Sequence, residues 1–296
     1  MFRVHKPPAS RRPGVEQPGA TGRDGAGCRI ATPIASVIGH RGAAAYAPEN
    51  TLAALRRAQA LGCRWVEFDV RLTADRELIL LHDDRLDRTT SGSGKVHLQP
   101  LAAIGRLDAG AWFAPHFAGE AVPTLAQAIE VLAELGLGAN IEVKASRGAA
   151  AETGAVTAEL LARYWPASLP PPLLSSFLDE ALIAAREQAP RLARGLLVRS
   201  VPRDWPARLD RLGCTTINPD HRRLRPAIVA ELAKSGYAVL TYTVNDAARA
   251  RELFAWGVTS VFSDVPDLVL AGMPVESPRP AIGSASAARP AQGAGA

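Results

Sequence analysis

Long apolar runs are missing from this 296-residue chain: no stretch approaches the roughly 20 residues that a membrane-spanning helix needs. The N-terminus also lacks the uninterrupted apolar core of a signal peptide, so the expected location is cytoplasmic. Cysteine is scarce. Cys28, Cys63 and Cys214 are odd in number and show no metal or redox spacing, so they read as reduced bystanders. Net charge is missing from the body as well. The chain carries 34 Lys/Arg against 29 Asp/Glu, but removing residues 1–35 and 274–296 leaves 26 of each. A neutral body argues against a nucleic-acid-binding surface, and the expected partner is a small molecule, with no stable membrane association and a monomer or homodimer as the assembly.

The two ends are set apart by composition. Residues 1–35 hold six Lys/Arg against two acids, with many Pro and Gly and no apolar periodicity; residues 274–296 are rich in Ala, Pro, Gly and Ser. Both read as disordered tails flanking one domain at 36–273. Within the domain, short apolar runs alternate with helical patterns. Strand candidates are SVIG (36–39), WVEFDV (65–70), LILLH (78–82), NIEVK (140–144), LLSSF (173–177), RGLLV (194–198), TTINP (215–219), VLTYTV (239–244) and SVFSD (260–264). Helical periodicity marks 51–61, 125–135, 150–164, 180–188, 225–235 and 247–256, with Gly62, Gly136, Gly236 and Gly257 where C-caps belong. Strand–helix alternation over this length implies an α/β fold, a (β/α)8 TIM barrel.

Nine strand candidates are one too many. LILLH follows EFDVRLT across Ala74-Asp75-Arg76-Glu77, too few residues for a parallel crossover, so the two should form an antiparallel hairpin. A turn centred between Asp75 and Arg76 would set His82 across from Asp69. Residues 83–122 are too long for a plain βα loop and read as a small inserted cap, with Trp112, Phe113 and Phe117 expected in its core.

Chemistry gathers at strand ends. Glu67 and Asp69 share one face of their strand, and Glu142 and Lys144 repeat the i, i+2 pairing on the next barrel strand. Inward carboxylates are costly without a cation. Glu67, Asp69 and Glu142 therefore suit a hard divalent ion, Mg²⁺ or Ca²⁺, or else a buried ion-pair network with Lys144 and Arg41. His40 and His82 flank this cluster as a candidate acid–base pair, and Arg41 and Lys144 read as anion holders. Pro48-Glu49-Asn50-Thr51 opens a helix. Asn50 is a cap or a ligand, and Glu49 either holds Arg41 or reaches a substrate hydroxyl.

HRGAAAYAPENTLAAL, EFDVRLTADRELILLHDDRLDRTTSGSG, LDAGAWFAPHFAGEAVPTL, NIEVK, LLSSF, YTVND and GVTSVFSDVPD resemble, in order, the signature segments of glycerophosphodiester phosphodiesterases, particularly the bacterial cytoplasmic branch. The resemblance covers roughly residues 36–270. It implies a TIM barrel with a small insertion, and metal-dependent hydrolysis of glycerophosphodiesters such as glycerophosphocholine or glycerophosphoethanolamine to sn-glycerol 3-phosphate and an alcohol. It also implies metal ligands at Glu67, Asp69 and Glu142, acid–base histidines at His40 and His82, and phosphate-binding cations at Arg41 and Lys144. One position departs: the aromatic before Thr243-Val244-Asn245, often Trp in that family, is Tyr242, a candidate lining residue for the glycerol or leaving-group pocket. A phosphoinositide phospholipase or phospholipase D-like enzyme on the same barrel would want an apolar docking loop. A non-catalytic phosphodiester-binding barrel would be expected to lack one of the histidines or carboxylates.

Overall fold

The computed structural model describes residues 34–273. The expected tails, with Cys28 and His5, fall outside the described residues except for Ile34 and Ala35. Those two pack against the floor of the barrel rather than belonging to a tail.

The strands are β1 (Val37–Gly39), β2 (Trp65–Leu72), β3 (Leu78–Leu80), β4 (Gly138–Val143), β5 (Leu173–Ser176), β6 (Ala193–Val198), β7 (Thr216–Pro219), β8 (Ala238–Thr241) and β9 (Ser260–Ser263). Their order is β1-β9-β8-β7-β6-β5-β4-β2-β3, and a further β1–β2 pairing at Gly39 and Val66 closes the ring. Eight parallel strands thus form a (β/α)8 barrel, and β3 pairs antiparallel on the edge of β2. Closure removes the free edges that an open sheet would have to protect.

Helices α1 (Leu52–Ala60), α2 (Leu101–Ile104), α3 (Leu125–Leu135), α4 (Ala150–Tyr164), α5 (Asp179–Gln188), α6 (Trp205–Leu212), α7 (Pro226–Lys234), α8 (Ala247–Trp256) and α9 (Pro266–Ala271) follow the chain order. Apart from α2, which lies in the insertion, they stand between successive strands or, for α9, follow β9. Periodicity anticipates α1, α3, α4, α5, α7 and α8 to within a residue at each end. It misses α6 and α9, which are short and begin with proline at the first or second position. Thr51, not Asn50, caps α1: its hydroxyl accepts from Ala54 N at 3.2 Å. Gly136 and Gly257 are left-handed C-caps, and Gly62 and Gly236 fall one residue beyond theirs.

Apolar side chains between barrel and helices form the main core, and a second set plugs the interior. Ile38, Trp65, Leu173, Leu240 and Phe262 meet inside the ring. Gly138 makes room for this plug, because a Cβ there would stand 2.4 Å from the Trp65 ring. With its floor filled by packed side chains, the barrel is open to chemistry only at the C-terminal ends of its strands.

The hairpin register differs by one residue from expectation. Val70 pairs with Leu80, Arg71 with Ile79 and Leu72 with Leu78, so Asp69 faces Leu81 and not His82. The loop has three residues, Ala74-Asp75-Arg76. Thr73 N donates to Glu77 O at 2.9 Å, and Arg76 takes a left-handed φ of 64°. An odd loop with a left-handed third residue centres the turn on Asp75 and shifts every pair by one.

Residues 83–122 fold over short elements: 3-10 turns at Val96–Leu98 and Pro115–Phe117, the helix α2, and bridges Arg85–Lys95 and Asp108–Ala121. Leu86, Val96, Ile104, Ala109 and Val122 bury against Ile79 and Leu81 of the hairpin arm. The expected aromatic core is not there. Trp112 is 41% exposed, and with Phe113 and Phe117 it forms an edge-to-face group outside the buried set. Aliphatic residues fill the space under the insertion, and the three rings pack edge-to-face on one another instead.

Candidate active site

A cavity of about 200 Å³ opens at the C-terminal ends of the strands. His40, Arg41, Glu67, His82, Glu142 and Lys144 line it, with Tyr242 on the far wall. Strand alternation turns Glu67 and Asp69 of β2 to the inside, and the β2–β4 register sets Asp69 beside Glu142. The three carboxylates are buried, and one oxygen from each lies within 4.8 Å of the others. Glu67 Oε1 is buried without a hydrogen-bond partner.

The electrostatics of this trio are uneven. Burial pushes Glu67 well above the ordinary carboxylate range, and the neighbouring charges of Asp69 and Glu142 add to the rise. Glu142 is pushed up to about 7 by burial, although Lys144 opposes the shift. Asp69 goes the other way: burial would raise it, but Lys144 and Arg41 outweigh that and hold it at about 2. Lys144 Nζ stands 3.5 Å from Asp69 Oδ1 and contacts Glu142 Oε1, and Arg41 Nε stands 3.5 Å from Asp69 Oδ2. Three buried oxygen-donor carboxylates, one with an unpartnered oxygen and two that resist ionisation, fit a hard divalent cation. The two flanking cations balance only part of that charge.

Each histidine has its Nδ1 held by an aspartate. His40 Nδ1 lies 2.6 Å from Asp264 Oδ1, and Asn245 Nδ2 donates to the other oxygen of Asp264 at 2.8 Å. His82 Nδ1 lies 2.7 Å from Asp83 Oδ1, and Arg88 Nε donates to Asp83 Oδ2 at 2.6 Å. Both aspartates titrate below the ordinary range. At Asp83 the largest cause is the hydrogen bond from Arg88; at Asp264 the bond from His40 overcomes the opposing effect of burial. An ionised carboxylate only accepts, so each Nδ1 is the donor and each Nε2 is left for the cavity. Burial lowers the pKa of His82, although the charge of Asp69 opposes it.

The turn after β1 carries the anion holders. Arg41 adopts a left-handed φ of 50° and its main-chain N donates to Glu67 Oε2 at 2.9 Å. Gly42 follows at φ 85°, packed so closely on Ala54 that a Cβ would come within 2.6 Å of its carbonyl carbon. Glu49 holds Arg41: its Oε1 accepts from Arg41 Nη1 at 2.7 Å and also from Arg88 Nη2 at 2.8 Å. Arg41, Glu49, Arg88, Asp83 and His82 are thereby connected in one chain. Asn50 neither caps the helix nor lines the cavity; it grips Asp69 from behind.

Of the residues singled out in the sequence, His40, Arg41, Glu67, His82, Glu142, Lys144 and Tyr242 line this cavity, and Glu49 and Asp69 hold its arginine and lysine. Sequence reasoning missed Asp264, Asn245, Arg88 and Arg71, which act through others. Arg71 holds His82 in place despite the shifted register, donating to the His82 carbonyl from Nε at 2.9 Å and Nη2 at 2.7 Å. Asn245 and Asp264 lie within the YTVND and FSDVPD segments, but nothing in their local pattern ties them to a histidine more than 200 residues earlier. Tyr242 lines the cavity edge-on to Phe177, with its hydroxyl donating to Val198 O at 2.9 Å.

Residues 40–268 match the sequence profile of the Glycerophosphoryl diester phosphodiesterase family. The chain belongs to that family. A glycerophosphodiester phosphodiesterase of Caldanaerobacter subterraneus is 33% identical over 236 residues, covering 79% of this chain and 96% of its own. Among solved structures, an Oleispira antarctica phosphodiesterase in complex with the product sn-glycerol-3-phosphate superposes with a TM-score of 0.79 at 40% identity, covering 81% of this chain and 96% of that one. A glycerophosphodiester phosphodiesterase from Agrobacterium tumefaciens follows at TM-score 0.68 and 31% identity, covering 80% and 100%. This phosphodiesterase builds its cavity at the C-terminal mouth of the barrel, and no helix among its described residues is long and apolar enough to cross a membrane.

Proposed function

We propose that the enzyme hydrolyses glycerophosphodiesters to sn-glycerol 3-phosphate and an alcohol, with His40 and His82 as the acid–base pair. The observation that carries this reading is the convergence of two aspartate-held histidines on one cavity that also contains Arg41, Lys144 and a carboxylate trio. The product named for the Oleispira relative supports the same substrate class.

Arg41 and Lys144 bind the phosphate oxygens, the guanidinium through its planar fork and the ammonium as a point charge. One imidazole Nε2 takes the proton from the attacking oxygen, which belongs to water or to the substrate's own glycerol 2-hydroxyl, the latter closing a cyclic phosphate that water then opens to glycerol 3-phosphate. The other imidazole, protonated, gives its proton to the leaving alcohol oxygen as the phosphorus–oxygen bond breaks. Asp264 and Asp83 keep each ring in the tautomer this exchange requires and stabilise its protonated form. Glu67, Asp69 and Glu142 would hold a divalent ion, Mg²⁺ or Ca²⁺. When bound, such an ion supplies Lewis-acid neutralisation of the charge that develops on the phosphoryl group. Tyr242 and Phe177 form the wall against which the glycerol or the alcohol packs. The buried free thiols of Cys63 and Cys214 support the cytoplasmic location expected from the sequence.

The test is release of glycerol 3-phosphate from glycerophosphocholine by protein stripped of metal, with and without added Mg²⁺ or Ca²⁺. Release that returns only with the ion is expected. Full release in the presence of chelator would remove the carboxylate trio from its role.

A further inference from the structure

Charge is unevenly distributed around the mouth of the barrel. The loops after β6 and β7, residues 199–204 and 220–225, carry five arginines and two aspartates, in a body whose charges balance overall. Arg222 is paired with Asp220, Nη2 to Oδ2 at 2.7 Å. The other four, Arg199, Arg203, Arg223 and Arg225, are exposed and make no ion pair among the described residues. On the opposite rim the charges are matched: Asp83 pairs with Arg88 at 2.6 Å and Asp87 with Arg85 at 3.1 Å.

A second cavity, of about 340 Å³, lies between the two arginine-bearing loops, with Ser200, Arg223 and Arg225 in its wall and one acid, Glu231. Tyr242, in the wall of the catalytic cavity, is bonded to the base of both loops. The Tyr242 hydroxyl donates to Val198 O at 2.9 Å, just before the first loop, and the Tyr242 main-chain carbonyl accepts from His221 N, in the second, at 3.1 Å.

Nothing comparable favours a cationic head group. The obvious ring for a quaternary ammonium is Phe177, but its face already carries Lys144 Nζ at 5.4 Å from the centroid. A second cation there would meet the first.

We propose that the enzyme selects among glycerophosphodiesters by the charge on the alcohol portion. It favours alcohols bearing a second anionic group, a phosphomonoester above all, and Arg199, Arg223 and Arg225 determine that specificity. Unpaired guanidinium groups beside a cleft raise the local concentration of an anionic substrate, and their forks match phosphate oxygens. This inference rests on the reading that the site cleaves glycerophosphodiesters.

The experiment compares kcat/KM for three substrates: glycerophosphoinositol 4-phosphate, size-matched glycerophosphoinositol, and glycerophosphocholine. Wild type and the triple variant Arg199→Gln, Arg223→Gln, Arg225→Gln are measured at low and high salt. Wild type at low salt is expected to prefer the phosphorylated inositol diester over its unphosphorylated partner by about tenfold or more. That preference should collapse toward unity in the triple variant, with glycerophosphocholine turnover unchanged or higher. In wild type it should also shrink at high salt, a readout that needs no variant. Equal rates for the two inositol diesters, or a preference untouched by both salt and the triple substitution, would overturn the inference while leaving the activity itself standing. Cleavage of none of the three would overturn both.

Discussion

Asn50 and Asp69 are locked together by two hydrogen bonds, Asn50 Nδ2 to Asp69 Oδ2 at 2.9 Å and Asp69 N to Asn50 Oδ1 at 3.0 Å. Both side chains are buried, and Asn50 sits at a left-handed φ of 59°, a conformation Asn tolerates better than most residues. The asparagine thus fixes the direction in which one carboxylate of the trio points.

Substitution at this position should therefore register first in cation affinity. Asn50→Ala is expected to weaken divalent-ion binding by about 10- to 100-fold, the usual cost of losing a residue that orients a ligand. Asn50→Asp keeps the turn but sets a second carboxylate against Asp69, so it should bind no better than the alanine variant. Titration calorimetry with Mg²⁺ checks both; unchanged affinity in either variant contradicts this role.

Stability of the metal-stripped protein should fall as pH rises from 5 to 8. Burial lifts Glu142 from 4.5 to about 7 in the folded state and also lifts Glu67 well above the ordinary range. A carboxyl whose pKa is raised on folding contributes its full stability below its unfolded pKa and loses it as pH climbs through the folded value. For Glu142 this loss is roughly 3 kcal/mol at 1.36 kcal/mol per pH unit. That corresponds to a melting-temperature drop of roughly 5–10 °C for a body this size. Saturating Mg²⁺ favours the ionised carboxylates, so it should stabilise more at pH 8 than at pH 5. A flat or rising melting temperature in the stripped protein over this range, or equal Mg²⁺ effects at the two pH values, would contradict the assignment.

The described thiols should be inert in the native state. Burial pushes both Cys63 and Cys214 up to about 12, so neither forms thiolate near neutral pH, and neither is accessible. In a Cys28→Ser variant, a thiol–disulfide exchange reagent at pH 8 should detect no thiol in the folded protein and two after denaturation. Stoichiometric native labelling would show that one of these helix–strand junctions opens.

Much of this site was legible because strand alternation is a strict rule. Glu67 with Asp69, and Glu142 with Lys144, could be placed on one face from spacing alone, and the closed barrel then sets them side by side. The hairpin was legible as a topology but not as a register, because a three-residue and a four-residue loop differ only in whether Arg76 turns left-handed. The partners of the histidines were less accessible still. Asp83 is adjacent to His82 and could have been found locally, whereas Asp264 reaches His40 only through ring closure between β1 and β9. Composition also misled at Trp112. An aromatic in an insertion reads as core, yet the buried set beneath is made of aliphatic side chains.

The claim that His40 and His82 exchange protons with the substrate is tested most directly by one comparison: the rate of glycerol 3-phosphate release from glycerophosphocholine by wild type, His40→Ala and His82→Ala, each saturated with Mg²⁺ and each confirmed as folded. Both variants are expected to lose about 10²- to 10⁴-fold in kcat, the range for removal of a general acid or base. Near-wild-type turnover in either variant would contradict the pairing.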